Sequence, residues 1–132
     1  MRRITRFALA ALCAAGLGAT AVLAHHSTNG IYNEDETVEL TGTVNQWRFV
    51  NPHPSLLIDV VGDDGATQQW DVSYGGSAVT HLRRRGYTAE TFQPGDVIVV
   101  RGFAARVNGS FGLLVRGDPT TEDGAPIIES ER

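Results

Sequence analysis

Four histidines, His25, His26, His53 and His81, are the residues of this chain best suited to chemistry. They have no thiol partner downstream, because the single cysteine, Cys13, lies in an apolar run near the start. A cut between Ala24 and His25 would create a terminus that offers a free amine and a ring nitrogen from one residue. One further imidazole completes a nitrogen-rich, sulfur-free set, which suits Cu(II), the highest member of the divalent affinity order. His53, held between Pro52 and Pro54, is the natural third ligand, so His25, His26 and His53 form a candidate copper site. Zinc is the alternative where a carboxylate such as Asp71 or Glu34 joins. The ordinary reading of a His-His pair after a leader is a polar, flexible start to the chain. That reading ranks ahead of the metal site, since any histidine-rich terminus chelates some copper.

The cut itself is read from the first 24 residues. Arg2, Arg3 and Arg6 precede an uncharged apolar stretch at 7–23, and Val22 and Ala24 supply modest side chains before His25. This is the basic, apolar and small-residue order of a secretory signal peptide. An uncleaved anchor is the competing reading, but the stretch is short for a bilayer and rich in Ala and Gly. Leu12 directly before Cys13 argues against lipid modification there. Residues 1–24 are therefore expected to be a signal peptide, and the product to be periplasmic or secreted.

Removing the leader leaves 108 of the 132 residues, the size of one domain. Three of the 11 basic residues leave with it, so the net charge moves from −4 to −7. An acidic chain without a basic stripe excludes nucleic acid as a partner. Without cysteine, the domain has neither disulfides nor thiolate metal sites.

The elements that must position the histidines follow in order. Residues 25–36 carry no periodicity and read as an extended arm, long enough at roughly 40 Å to fold back over the domain. From Val38 apolar residues alternate through Leu40, Gly42 and Val44, a half-buried strand, and Trp47 and Phe49 continue it after a bulge near Gln46. Asn51-Pro52-His53-Pro54 breaks the ladder, because proline lacks a backbone donor. Strands are expected at 56–61, 68–74, 97–103 and 111–115, separated by Gly-rich turns. A short helix is expected after Ser77, which would cap it, and Gly86 would end it. Arg83-Arg84-Arg85 at its end reads as a solvated complement to the helix dipole rather than a recognition patch. Residues 118–132 read as an acidic, loosely held tail, in which Ile127 and Ile128 could add a strand.

Three strands, a short helix and two strands give an all-β fold with one small helix, a five-stranded OB-fold-like barrel at 37–117. In such barrels ligands meet the second and third strands and the loops joining strands one to two and four to five. Here those loops are 50–54 and 106–110. Trp47, Phe49, Trp70 and Tyr74 could form an aromatic platform, although in a barrel this small large rings more often fill the core. The acidic clusters Asp63-Asp64 and Glu34-Asp35-Glu36 lack calcium-loop spacing and read as solvated turns.

The start Ala24-His25-His26-Ser27, the Asn51-Pro52-His53 loop, Trp70, and Pro94-Gly95-Asp96 leading into Ile98, Val100 and Gly102 together resemble a family of small exported proteobacterial proteins catalogued as a domain of unknown function. The resemblance implies an exported single domain and no assigned activity.

No nucleophile elbow and no phosphate loop is present, so the expectation is a non-enzyme. It is a small exported binding or accessory protein, with Asn51, His53 and Trp70 as candidate ligand contacts. The first alternative is a periplasmic copper-binding protein. The second is an envelope-complex partner engaged through a barrel edge or the tail. Membrane contact is expected only through a retained leader.

Overall fold

In the computed structural model, residues 30–128 are described. The first strand, β1 (Val38–Arg48), is long enough to serve two neighbours. Its first half pairs antiparallel with β4 (Val97–Ala104), from Val38 opposite Gly102 to Thr43 opposite Val97. Its second half pairs with β2 (Ser55–Val61), and the register slips between Val44 and Gln46. That bulge is the one expected from sequence. It turns Trp47 inward on the same side as Val44, although the two differ in parity.

β3 (Thr67–Ser73) pairs antiparallel with β2, and β5 (Gly112–Val115) pairs antiparallel with β4. Closure comes from a parallel pairing of β3 with β5, Asp71–Ser73 against Gly112–Leu114. The strand cycle is therefore β1-β2-β3-β5-β4-β1, a closed five-stranded mixed barrel with OB-like connectivity. At Gly102, a Cβ atom would drive into the carbonyl of Leu114. Only glycine lets β4 and β5 approach this closely.

Inside the barrel lie Val44, Leu56, Ile58, Val72, Ile98, Val100 and Leu113. Each such side chain contributes about 1.5–3 kcal/mol when fully buried. One end is closed by α1 (Val79–Arg84), which buries Val79 and Leu82, and by Tyr87 and Phe92 beyond it. Trp47, Phe49 and Tyr74 join these two rings, with centroids 5.2–6.2 Å apart around Trp47. The Trp47 indole donates to the Thr88 carbonyl at 2.8 Å.

Two expectations are corrected. Ser77 does not cap α1; the N-cap is Ala78, whose side chain makes no capping bond. The Val79 N–H instead donates to Oδ1 of Asn51, 28 residues upstream, at 3.1 Å. A capping acceptor supplied from the β1–β2 loop leaves no local sequence signature.

The described part of the tail, residues 118–128, is also not loose. β6 (Thr120–Thr121) pairs with Ile98 and Val99, and Thr120 bridges to Pro126. Pro119 is fully buried and Ile128 reaches the core. The added strand forms at two β-branched threonines rather than at Ile127-Ile128. Of the five acidic residues that suggested a free tail, Glu122 and Asp123 are exposed at its turn and Asp118 is engaged by Tyr87 and Arg85.

Replacing Asn51 with Ala removes the acceptor at the start of α1 and should cost about 1 kcal/mol. Ser77→Ala should cost less than about 0.5 kcal/mol. Urea unfolding of the two variants checks this, and equal losses would refute the capping assignment.

Candidate functional site

The expected site residues are dispersed. His25 and His26 lie outside the described residues. His53 is exposed in the β1–β2 loop and its ring makes no hydrogen bond among the described residues. Asn51 is engaged at the start of α1. Trp70 is half-buried on the inward side of β3, opposite Ile58, and packs edge-on against Phe111 at 5.5 Å. Three residues of strand, roughly 10 Å, separate it from the row where the β1–β2 loop enters. His81 and Asp71 are exposed on α1 and β3. Among the described residues no three His, Cys, Asp or Glu side chains gather as a metal set.

The arm from Gly30 runs instead along the exit of β4. Tyr32 bridges to Ala105, the Asn33 N–H donates to the Ala104 carbonyl, and Arg106 Nε donates to the Tyr32 carbonyl at 2.9 Å.

A concavity arises at the parallel seam. Beyond Ser73 and Leu114 the two paired strands part, β3 turning into α1 through Gly75-Gly76-Ser77 and β5 continuing to Gly117. Between them opens a cleft of about 470 Å³, lined by Tyr74, residues 75–77, Arg85 and residues 114–117. Gly75 and Gly117 have φ of 64° and 79°, the left-handed region that suits glycine.

A polar node stands at one wall. Asp118 Oδ1 accepts from the Tyr87 hydroxyl at 2.5 Å and from Arg85 Nη2 at 2.6 Å. Arg85 also lies 5.8 Å over the Tyr87 ring, so the last arginine of the basic run is structural rather than merely solvated. Arg83 likewise covers Phe49. The Tyr74 hydroxyl is buried beside this node, next to Tyr87, and makes no well-formed hydrogen bond among the described residues, an omission that costs about 1–3 kcal/mol. On the other wall, the Arg116 guanidinium stacks on Phe103 at 4.9 Å and has no carboxylate partner among the described residues.

Burial pushes the phenols of both Tyr74 and Tyr87 well above the ordinary tyrosine range. For Tyr87 the neighbouring Tyr74 and Asp118 add to the rise. Neutral phenol is thus the folded form, able to donate.

A family model described as "Family of unknown function (DUF6152)" matches residues 12–114. The chain belongs to this family. No curated protein matches it. The span shared with DUF6152 holds β1 to β4 and most of β5, including the 74–77 wall of the cleft. Arg116 and Asp118 lie beyond it.

Sequence reasoning missed Tyr87, Arg85, Arg116 and Asp118. The signal available was indirect: OB-like connectivity implies a parallel closure, and the glycines at 75, 76 and 117 mark where its two strands diverge.

The raised tyrosines predict the alkaline behaviour. In the unfolded chain these phenols lose their protons near pH ~10. The folded state keeps them, so it binds more protons above that pH and stability falls as pH rises. The contribution is complete below pH ~10 and declines above it, by up to about 1.4 kcal/mol per pH unit for each tyrosine. Denaturant midpoints followed from neutral to strongly alkaline pH should show a shallower decline in Tyr87→Phe than in wild type. Identical slopes would contradict the assignment.

Proposed function

We propose that this DUF6152 chain is an exported, non-catalytic binding module whose ligand occupies the cleft at the β3–β5 seam. The observation that carries this reading is a 470 Å³ cleft lined by two arginines, with a buried phenol in its wall that makes no well-formed hydrogen bond among the described residues. That volume falls in the range of small-molecule sites, which combine apolar walls with a few placed polar groups. Leu114 and Val115 supply the apolar wall and Tyr74, Arg85 and Arg116 the polar groups. Crevices at the carboxyl ends of diverging parallel strands serve as ligand sites in α/β sheets, and the seam offers the same geometry on a small scale. The fold alone assigns no ligand.

Copper binding through His25, His26 and His53 is the second reading. It is favoured by the exposed His53 ring, which no group among the described residues engages. Both readings place the protein outside the cytoplasm, as the leader indicates.

Amide spectra of the isotope-labelled, exported protein, recorded against a small-molecule fragment set and against Cu(II), distinguish them. The first reading predicts fragments that shift Gly75, Gly76, Ser77 and Gly117 and are recovered chemically unchanged. Fragments that never perturb the cleft, or that are converted during incubation, would overturn it. Tight one-to-one copper binding that is lost in His53→Ala would establish the second. Weak binding indifferent to that substitution would retire it.

A further inference from the structure

The walls of the seam cleft differ in charge from the rest of the molecule. The whole chain carries a net charge of −4, yet two guanidiniums and one carboxylate stand at this opening. Two other arginines, Arg101 and Arg106, are paired with Glu39 and Asp35. Arg116 is held differently, over the face of Phe103, which attracts the guanidinium without neutralising its charge. Arg85 lines the same cleft, committed to Asp118 by a single contact on one oxygen. The N–H groups of Gly76 and Gly117 have no acceptor among the described residues. Beside these groups the Tyr74 hydroxyl is buried without a well-formed hydrogen bond among the described residues.

Donors therefore gather at the opening: one guanidinium, a second shared with Asp118, and two open amides. Acceptor-only groups satisfy such a set, and a planar or tetrahedral oxyanion does so with charge-assisted bonds. We infer that the cleft recognises its ligand through a carboxylate or phosphate group gripped by Arg116 and Arg85, with Asp118 as the intramolecular competitor for Arg85. This rests on the cleft being the ligand site. It adds the chemical class of the ligand and a carboxylate that tunes its affinity.

Calorimetric titration of the exported protein with succinate, inorganic phosphate and neutral succinamide tests the inference. Succinate or phosphate should bind one-to-one, more weakly as salt rises, and succinamide much more weakly than succinate. The tighter of the two anions identifies which oxyanion the site prefers. Arg116→Gln should loosen anion binding about tenfold or more. Asp118→Asn keeps an amide oxygen for Tyr87 and Arg85 but removes the competing charge, so it should tighten binding by about threefold or more. A merely damaged structure would weaken binding in both variants. Anion binding that ignores both substitutions would overturn the inference, as would its tightening in neither. Succinamide binding as well as succinate would overturn it while leaving the cleft as a ligand site. Failure of all three probes would overturn it too, and the fragment spectra then decide separately whether the cleft binds anything.

Discussion

The rest of this domain depends on closing a sheet through a parallel pairing only three residues long. Antiparallel ladders between β1 and β2, β2 and β3, β1 and β4, and β4 and β5 bring the two free sides together. The Asp71–Ser73 and Gly112–Leu114 contact completes the circle. So short a pair cannot carry closure by itself. It is held by the buried side chains on its inner face, Val72 and Leu113, both fully buried, and by the close approach that Gly102 permits on the far side of β5. Parallel strands leave their pairing in the same direction. Where they part they must either diverge or be filled, and here they diverge, so the cleft is a consequence of the closure.

The open end of the seam is stiffened by Asp118. One carboxylate oxygen takes hydrogen bonds from Tyr87, in the aromatic plug, and from Arg85, just after the helix. Next to it Pro119 is buried and β6 adds to the edge of β4. A segment of mostly polar composition thus becomes part of the domain because three of its residues have specific partners inside. The arrangement also explains why a tyrosine hydroxyl can be left unsatisfied beside it. Trp47, Tyr74, Tyr87 and Phe92 pack around one another, and the aromatic contacts offset the desolvated oxygen.

Much of this could be read from the chain. The alternation from Val38 to Val44, the bulge before Trp47, the stop at Gly86 and the turns at Gly62-Asp63-Asp64-Gly65 and Pro94-Gly95-Asp96 are local signals, and local physics decides them. The all-β barrel followed from their order. What could not be read were partnerships between distant segments: Asn51 serving the helix from 28 residues away, and Asp118 serving Tyr87 from 31. Asparagine and aspartate in loops have many ordinary uses, and their spacing indicates none of them. The histidines drew attention because their chemistry is visible in a single letter. Arg116, whose role depends on the face of Phe103 beneath it, looks like any surface arginine until the barrel is closed.

Amide hydrogen exchange of the protein with and without succinate is the most direct test of the seam as a binding site. The account predicts slowed exchange on both walls together, at residues 74–77 and 114–118, with the β1–β2 loop and the arm unchanged. Slowing confined to the loop around His53, or to the arm, would contradict it.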